Sequence, residues 1–578
     1  MCIYIIDLGS QYTHLISKRL RLLGYKSKII DQDFLPADLE NPKGIIISGG
    51  PGTDLTGLTD KVFNTNLPIL GICLGHQLIS QHYGGTVTTK SNTEFGKSHL
   101  SQVVDSPLWE DINQGSQIWM SHFDTVTILP DDFEIIGQTT NGMIAALQHV
   151  SKPIYSLQFH PEVSDTHNGY YMLRNFAKIC RAKKNWSMEN FSLATIDEIR
   201  AEVGDRNVLL FVSGGVDSTV AFELLNASIG QDRVIGLFVD NGFMRKNEAD
   251  QIKKRYDSLG YTNIQYRDYS EEFLAAVEGL IDPEKKRKAV GETFLTIREK
   301  FIAELNLDPE KWMLGQGTLY PDIIESGGTR NSKVIKSHHN RVSGVQEFIA
   351  RGLVVEPLKD LYKDEVRILG EKLSLPKDIV YRHPFPGPGL SINVLCTERK
   401  IEKKYKTRLP IDSVGVQGDL RTYTQPVVIE LERDWTALEN KSTEITNQIH
   451  DANRVVTYIP KDQYPGFPSW QSHTAYCTKT RLDLLREADF IITEKLTQHK
   501  WMNKIFQLLT ILLPVSIKGN CDSVVIRPVC SRDVMTAKFA KIDWPIVDEI
   551  ATELYKITEI DSVFYDITHK PPGTFGWE

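Results

Sequence analysis

The sequence predicts an α/β protein in which two doubly wound α/β domains precede a duplicated α+β region. Three patterns indicate this order. Near the start of the chain, the apolar runs are nearly continuous. In the middle, apolar runs are followed by glycine turns and then by predicted helices. In the last part, isolated β runs are separated by single helices. A length of 578 residues suggests about three or four domains.

The first domain is predicted over residues 1–185. Its strand candidates are apolar at almost every position, as in parallel sheets covered by helices on both faces; they lie at 2–9, 44–50 and 67–75. The stretch 13–24 between the first two has helical spacing and ends on glycine. The polar and basic stretch 181–190 reads as a linker.

The second domain is predicted over residues 195–395. Its strand candidates are 208–215, 234–242 and 312–318. Its helix candidates, which both end on glycine, are 217–230 and 247–260. A strand, a glycine turn and a helix in succession indicate a doubly wound sheet with its ligand at the carboxyl ends of the strands. The proline-rich stretch 383–390 reads as a rigid boundary loop.

The C-terminal region is predicted to contain two α+β subdomains, 396–470 and 471–578. The segment 413–435, with 453–459 after it, resembles 523–534 with 561–567 after it. Each copy reads as two β runs, a helix and a further β run. On these residues alone, a duplication and a chance match both stay open.

Composition and charge exclude several classes of protein. A formal net charge of −8 argues against a general nucleic-acid binder, which needs a basic face. The seven cysteines are scattered and form no C-x-x-C pair, which favours a reducing compartment and gives no zinc signature. No signal peptide is recognisable, and the longest apolar stretch, 505–515, is too short to span a bilayer. We expect a cytoplasmic protein with neither nucleic acid nor membrane as a partner.

The motif GICLG at 71–75 predicts a nucleophile in the first domain. Flanking glycines permit a strained strand-to-helix turn that exposes Cys73 and turns the N–H of Leu74 towards an oxyanion. By itself the motif also fits a buried core cysteine. The segment LQFHPE supplies His160 as a general base and Glu162 to orient it, which favours the nucleophile. The glycine loop ISGGPG adds N–H groups, at about Gly50, that could complete an oxyanion hole.

The set SGGPG, GICLGHQ and HPE, in this order, closely resembles class I glutamine amidotransferase domains. The resemblance implies a triad of Cys73, His160 and Glu162 that hydrolyses the side-chain amide of glutamine through a thioester and releases ammonia. The segment MSHFD at 120–124 also resembles the family.

The stretch SGGVDST at 213–219 predicts a phosphate-binding loop in the second domain. Backbone N–H groups of Gly214 and Gly215 at a helix N-terminus form an anion site. The loop contains no lysine, which suggests that it holds a leaving pyrophosphate while attack occurs at the α-phosphorus. Hydroxyls can donate to phosphate, and Asp217 could hold Mg²⁺ or position the loop. The alternative interpretation is an ordinary capped helix. The residues predicted to bind ATP are Ser213, Gly214, Gly215, Val216, Asp217, Ser218 and Thr219.

The motif SGGVDS matches the N-type ATP pyrophosphatase loop at every position, and the chain as a whole resembles the GMP synthetase family in its longer form. The segments that carry this second resemblance are 315–326, 335–340, 356–367, 382–390, 414–423 and 570–578. The resemblance implies amination of xanthosine 5′-monophosphate (XMP) to GMP with glutamine, while ATP and Mg²⁺ serve as cofactors and AMP and pyrophosphate are released. It also implies that Arg287, Asp419 and Lys570 bind XMP. It further implies that 396–470 and 471–578 are dimerisation-type subdomains and that the C-terminal tail binds the nucleotide. The duplication replaces a dimer partner in this form, so monomer and homodimer both stay open.

Two departures from the family pattern leave other functions open. Gly576 stands where the family has a glutamate that contacts the purine, and Cys521 and Asp522 stand where the longer form has a glutamine. Lost polar contacts would weaken recognition of a purine, although Glu578 is close enough to substitute. The first alternative is an amidotransferase acting on another purine nucleotide or heterocycle. The second, a non-catalytic nucleotide sensor, is less compatible with an intact triad and loop.

Overall fold

The computed structural model describes residues 1–10, 12–50, 58–304, 309–319, 351–381, 387–398, 401, 407–417, 420–449, 451–461, 468–531 and 537–578. Their contacts divide into two compact units, which comprise the described residues of 1–195 and those from 196 onwards. Within these residues no helix is long and apolar enough to cross a membrane. The predicted domain boundaries inside the second unit stay predictions.

The first unit is built around one nine-stranded mixed sheet with strand order β2-β1-β3-β4-β9-β8-β7-β5-β6. The strands are β1 Cys2–Asp7, β2 Ser27–Asp31, β3 Pro42–Ile47, β4 Ile69–Ile72, β5 Thr86–Gln102, β6 Ser116–Ile128, β7 Phe133–Thr139, β8 Ile144–His149 and β9 Ile154–Leu157. The helices are α1 Thr13–Leu22, α2 Leu58–Phe63, α3 Leu74–His82 and α4 Gly169–Ile179. The first five strands in this order are parallel, and the others are antiparallel.

Both faces of the parallel part of this sheet are buried, as the continuous apolar runs predict. Ile5 of β1 packs in the apolar cluster on one face and Ile6, the next residue, in the cluster on the other. The predicted strands and the helix at 13–24 are confirmed. The predicted linker is partly wrong, because helix α5, Met188–Val203, begins inside 181–190.

The second unit contains a five-stranded parallel sheet with strand order β12-β11-β10-β13-β14. The strands are β10 Asn207–Phe211, β11 Val234–Asp240, β12 Ile264–Asp268, β13 Trp312–Gly315 and β14 Val354–Val355. The helices of this part are α6 Val216–Ile229, α7 Glu248–Ser258, α8 Ser270–Ala276, α9 Pro283–Glu304, α10 Lys363–Lys372 and α11 Lys377–Val380. The predicted strand–turn–helix order is confirmed; residues 383–386 of the proline-rich stretch 383–390 lie outside the described residues.

The C-terminal part of this unit forms another sheet, with strand order β17-β18-β24-β22-β20 and with β23 paired to β22. The remaining strands form two separate ladders, β15 with β16 and β19 with β21. The strands are β15 Ser413–Gln417, β16 Leu420–Thr424, β17 Val427–Ile429, β18 Val455–Ile459, β19 Gln471–Ser472, β20 Gln507–Leu513, β21 Val515–Ser516, β22 Asp522–Cys530, β23 Lys538–Phe539 and β24 Ile560–Asp566. The helices are α12 Trp435–Gln448, α13 Lys479–Gln498 and α14 Trp544–Leu554.

The internal repeat is present in this sheet as two βαβ units related by a local twofold axis. The strands β17 and β18 are parallel, as are β22 and β24, and the two pairs meet where β18 runs antiparallel to β24. The register pairs Val456 with Asp566 and Tyr458 with Phe564. Each crossover helix begins with a tryptophan after an aspartate. The first copy therefore starts at β17, and the predicted match of residue 413 with residue 523 is wrong by one hairpin.

Candidate functional site

Cys73 occupies a strained turn between β4 and α3. Its φ of 53° and ψ of −104° lie outside the regions that non-glycine residues favour. A Cβ on Gly71 would lie 2.5 Å from the carbonyl oxygen of Gly75, and a Cβ on Gly75 would lie 2.4 Å from that of Ile47. The chain therefore passes too close to itself for any side chain at either glycine. This is the physical reason for the G-x-C-x-G pattern.

The structure brings the three predicted catalytic side chains together. His160 lies three residues after β9, and its Nδ1 is 2.7 Å from Oε1 of Glu162. Cys73 also adjoins the imidazole, since a Cβ built on Gly49 would lie 3.2 Å from Cε1 of His160 and 3.4 Å from Cβ of Cys73. Both His160 and Glu162 are buried, and the hydroxyl of Thr166 donates to the carbonyl oxygen of His160 (2.6 Å). The order thiol, imidazole, carboxylate is that of a nucleophile with a general base and an orienting group.

The electrostatics of this cluster favour a protonated imidazole. Burial by itself lowers the pKa of His160, but the carboxylate of Glu162 and the neighbouring thiol together raise that pKa to about 10. A positive charge therefore lies beside Cys73, which is the environment found around nucleophilic cysteines.

The backbone N–H groups that are predicted to bind an oxyanion belong to Leu74 and Gly50. The N–H of Cys73 donates to Leu157 O (2.8 Å) and that of Gly75 to Ser48 O (3.2 Å). Between them, the N–H of Leu74 has no acceptor among the described residues. The other predicted donor, Gly50, is half-buried, and a Cβ there would lie 2.0 Å from the carbonyl oxygen of Leu8.

Three further groups at this site were missed by sequence reasoning. A Cβ on Gly49 would lie 3.2 Å from Cε1 of His160, so Gly49 is the glycine of its loop that adjoins the histidine. The ring of Tyr12 meets His160 edge-on with a centroid distance of 5.1 Å. The carbonyl oxygen of Ser121, in the MSHFD segment, lies 3.7 Å from Cys73 Sγ. The MSHFD segment was the signal for Ser121; nothing in the sequence singled out Tyr12.

The predicted phosphate loop connects β10 to α6. Gly214 has a φ of 74°, and a Cβ there would lie 2.5 Å from Cδ1 of Ile252, so the position requires glycine. Gly215 is the N-cap residue, and Val216 and Asp217 begin the first turn, where helices leave N–H groups without intrahelical acceptors.

Hydroxyl groups within this loop support its shape. Ser218 Oγ accepts a hydrogen bond from the N–H of Ser213 (3.1 Å). Thr219 Oγ1 is buried and donates to Gly215 O (2.8 Å), with the hydroxyl of Tyr256 2.9 Å away. This hydroxyl holds the loop to its own helix, and the predicted contact of Thr219 with phosphate stays a prediction.

The structure places a lysine at the loop whose sequence has none. Nζ of Lys363, the first residue of α10, is paired with Oδ2 of Asp217. The two residues are 146 positions apart in the sequence. Lys363 lies in the segment 356–367, which resembles the family, but no local pattern connects this lysine to the loop.

Of the three residues that are predicted to bind XMP, the structure describes two. Asp419 lies outside the described residues. Arg287, near the start of α9, pairs with Glu284 (2.6 Å) and donates to the carbonyl oxygen of Glu578 (2.6 Å). Lys570 lies in the C-terminal segment, with Nζ 4.6 Å from the ring centroid of Phe575.

The residues that depart from the family pattern have structural partners. Asp522 is buried and accepts two hydrogen bonds from Arg481 (2.9 and 3.0 Å). The carboxylate of Glu578, suggested as a substitute for the missing glutamate, is buried 2.6 Å from Nζ of Lys286. Its charge is therefore already neutralised. Gly576 has open space, since a Cβ there would have Glu578 O, 3.6 Å away, as its nearest neighbour.

Comparison with known proteins first defines the class. The family model for the class-I glutamine amidotransferase matches residues 4–180, and the model for the GMP synthase C-terminal domain matches residues 494–577. The first match covers the unit that carries Cys73, His160 and Glu162. The chain thus contains a glutamine amidotransferase of class I.

Full-length relatives then identify the family. The chain is 40% identical over 601 residues to the probable GMP synthase (glutamine-hydrolyzing) of Leptospira interrogans, covering all of this chain and 99% of the relative. It is 37% identical to the GMP synthase of Campylobacter hominis and 36% identical to that of Lacticaseibacillus casei, again over the whole chain and 99% and 98% of the relatives. The chain belongs to the glutamine-hydrolysing GMP synthase family.

Proposed function

We propose that this chain converts XMP to GMP, with glutamine as the nitrogen donor and ATP cleaved to AMP and pyrophosphate. One site hydrolyses glutamine to glutamate and ammonia. The other adenylates the carbonyl oxygen of XMP with loss of pyrophosphate, and ammonia then displaces AMP. The observation that carries the proposal is the presence in one chain of the Cys73–His160–Glu162 cluster and the SGGVDS loop. The full-length relatives are named as GMP synthases, which disfavours both alternatives, an amidotransferase with an acceptor other than XMP and a nucleotide sensor without catalytic activity.

In the glutaminase half-reaction, Cys73 Sγ attacks the amide carbon of glutamine to form a tetrahedral intermediate. His160 then protonates the departing amide nitrogen, which leaves as ammonia, and water hydrolyses the resulting thioester to glutamate. The buried carboxylate of Glu162 keeps the imidazole oriented through the 2.7 Å contact. The N–H groups of Leu74 and Gly50 stabilise the oxyanion. Preorganised donors of this kind are worth about 2.7–4 kcal/mol each.

In the adenylating half-reaction, the N–H groups at the start of α6 hold the phosphates of ATP. The residues proposed for this contact are Ser213, Gly214, Gly215, Val216 and Ser218, while Thr219 supports the loop from below. Lys363 supplies the cation that the loop lacks and pairs with the leaving pyrophosphate. Attack at the α-phosphorus fits a loop that binds, but does not transfer, the outer phosphates.

Asp217 fits Mg²⁺ as a single carboxylate ligand. Its Oδ1 atom is buried and makes no hydrogen bond with any described residue. Magnesium sites at nucleotides are held by one or two carboxylates together with phosphates and water. The ion would neutralise charge on the phosphate groups. Asp217 would hold it, and Lys363 would orient the carboxylate through its other oxygen.

Acceptor binding is proposed for Arg287, Lys570 and Asp419. Arg287 and Lys570 converge on the C-terminal segment, because Arg287 donates to Glu578 O and Lys570 belongs to the same segment. Cations suit a phosphate monoester, because charge-assisted hydrogen bonds are the stronger kind. Arg421, two positions after Asp419, shares Glu284 with Arg287 (2.7 and 2.6 Å), which supports a basic site here.

A monomeric state in the cytoplasm is part of the proposal. The two βαβ units of the C-terminal sheet pair with each other through β18 and β24, as two subunits of a symmetric dimer would. Sedimentation should give the mass of one chain. A dimer mass would contradict this part and leave the proposed reaction untouched.

The decisive test is pyrophosphate release from Mg·ATP with a panel of acceptors, using glutamine and separately ammonia. Release with XMP and either nitrogen source is expected. Release with another nucleotide but not XMP would refute the proposed acceptor, and no release with any would refute the ligase. Cys73→Ala should abolish the glutamine-dependent rate and leave the ammonia-dependent rate intact. Loss of both would contradict a two-site mechanism.

A further inference from the structure

The loop 241–246 lies at the same edge of the parallel sheet as the phosphate loop. It follows β11, which is the neighbour of β10, so the two loops leave the sheet side by side. Ligands of open α/β sheets bind at this edge. Its first turn is held locally, because Asp240 accepts from the N–H of Gly242 and Asn241 from that of Phe243, each at 2.9 Å. The carbonyl groups of the loop have their partners elsewhere.

One arginine of helix α13 holds two of these carbonyls. Nε of Arg486 donates to Met244 O (2.9 Å), and Nη2 of the same guanidinium donates to Gly242 O. A planar guanidinium presents its N–H donors in a rigid geometry. Binding both carbonyl oxygens therefore fixes the positions of Gly242 and Met244 relative to each other. Arg486 is more than 240 positions from the loop and has no part in the catalytic scheme above.

The next residues of α13 extend the contact with charged pairs. Nζ of Lys246 is 2.6 Å from Oε2 of Glu487, and Nε of Arg245 is 3.3 Å from Oδ2 of Asp489. Asp489 is buried and also accepts from the hydroxyl of Thr510 (2.8 Å) in β20. The loop is thereby connected through one helix to the C-terminal sheet.

A second contact from the same direction secures the middle of the loop. The N–H of Leu390 donates to Phe243 O at 2.7 Å. A Cβ on Gly389 would lie 2.4 Å from this oxygen, so the approach is as close as the backbone allows. Three carbonyls of the loop, at residues 242, 243 and 244, are thus bound by residues that follow it by more than 140 positions.

We propose that Arg486, with Glu487 and Asp489, positions the loop 241–246 for binding of ATP, so that ATP affinity depends on a helix of the C-terminal region. These are positioning residues, which act on the nucleotide through the loop. The inference rests on the proposed function, because it takes Mg·ATP as the ligand of this edge of the sheet. Loss of the Arg486 fork should weaken ATP binding and spare the glutaminase site.

The test is the dissociation constant of Mg·ATP for the full chain, measured by equilibrium binding without acceptor. Arg486→Ala should raise it about tenfold, the equivalent of one or two net hydrogen bonds, with the basal glutaminase rate unchanged. Arg486→Lys should recover part of the loss. The matched control is Lys495→Ala on the same helix: both side chains are about one-fifth exposed, and Lys495 pairs with Glu549 instead. It should bind Mg·ATP like the wild type.

A charge exchange keeps the proposal testable if Arg486→Ala does not fold. Lys246→Glu should weaken Mg·ATP binding by opposing Glu487, and the double variant Lys246→Glu, Glu487→Lys should restore it. Wild-type affinity in Arg486→Ala, or no recovery in the double variant, would overturn the proposal. If the wild type itself does not bind Mg·ATP, the proposed function fails, and that result is distinct from either of these.

Discussion

At the scale of single residues, the candidate glutaminase site depends on a backbone conformation that its cysteine does not favour. Cys73 has a positive φ, which costs on the order of 1–3 kcal/mol for a non-glycine residue. Contacts with the surrounding residues must therefore hold the turn in this unfavourable conformation. They include the N–H of Cys73 on β9 and the two glycines that let α3 begin against β3. Strain and close packing here serve one end, which is to place the largely buried sulfur of Cys73 beside His160.

Glu162→Gln should separate the two half-reactions. The amide retains the shape of the side chain but removes the charge that raises the pKa of His160 to about 10, so burial then lowers this pKa. The glutamine-dependent rate should fall about a hundredfold or more, the usual value of acid–base catalysis. The ammonia-dependent rate should not change. Glu134→Gln, which alters a carboxylate bonded to Gln148, is the control and should leave both rates intact.

Glu162→Gln should also change the way in which the free energy of unfolding depends on pH. A raised pKa of His160 in the folded state stabilises the protein fully below the unfolded pKa of about 6.5. This stabilisation is lost as the pH rises through about 10. The difference in unfolding free energy between the wild type and Glu162→Gln should therefore shrink from pH 6.5 to pH 10 in urea titrations. A constant difference would mean that Glu162 does not set the protonation of His160.

Lys363→Met should impair the adenylating half-reaction alone. The substitution keeps the length of the side chain and removes the cation paired with Asp217. We expect at least a tenfold loss of kcat/KM for ATP, about 1.4 kcal/mol, in assays of pyrophosphate release with ammonia. Lys372→Met, at the other end of the same helix, is the control. Equal rates in wild type and Lys363→Met would show that the lysine only supports the loop.

At the scale of elements, helix α3 carries a buried histidine directly after the nucleophile turn. Nδ1 of His76 is 2.8 Å from the hydroxyl of Ser156 in β9, and Nε2 is buried without a hydrogen bond to any described residue. Burial and the neighbouring His122 lower the pKa of His76 to about 3. The helix therefore packs on the sheet with a neutral imidazole.

Acid should destabilise the first unit through this helix. A lowered folded pKa means that the stabilisation by neutral His76 is present above about pH 6.5 and is lost as the pH falls towards 3. His76→Gln has no such proton to bind, so its urea midpoint should fall less between pH 6.5 and 4.5 than that of the wild type. His14, whose pKa burial lowers to about 4, contributes equally in both proteins. Parallel curves would show that His76 is not the acid-sensitive group.

At the scale of the whole molecule, the duplicated region behaves as one folded body. Trp435 and Trp544 occupy equivalent positions at the starts of α12 and α14, and their rings stack with a centroid distance of 4.0 Å. Together with the pairing of β18 and β24, the stack joins the two copies across the local axis. A core shared in this way should unfold in a single step.

A double-mutant cycle should measure the interaction energy between Trp435 and Trp544, which joins the two copies. Trp435→Ala and Trp544→Ala should each destabilise the C-terminal sheet, and the double variant should lose less than the sum, by about 0.5–1.5 kcal/mol. Unfolding by urea, followed by circular dichroism, gives the three values. Trp470→Ala, whose indole donates to Ser562 away from the stack, should be additive with Trp435→Ala. Additivity of the two stacked residues would contradict a coupled interface.

Local chemistry made much of this protein predictable. The strands of both parallel sheets, the turn at Cys73 and the loop at 213–219 follow from apolar runs, glycines and helix starts that lie within a few residues of one another. The duplicated region was harder. Its short strands carry weak patterns, so the repeat was matched one hairpin too early, and the pairing of β18 with β24 decided the true correspondence.

The sequence by itself determined the strands of both parallel sheets and the glycine turns at Cys73 and Gly214, where the two candidate sites lie, because each depends on neighbours along the chain. The tertiary structure decided which distant groups complete these sites. Lys363 reaches Asp217, Arg486 holds the loop 241–246, and the carboxylate of Glu578 is neutralised by Lys286. Charged groups and carbonyl oxygens of this kind pair with residues that are distant in the sequence, and these pairs form only once the backbone is folded. Spacing along the sequence therefore does not predict them.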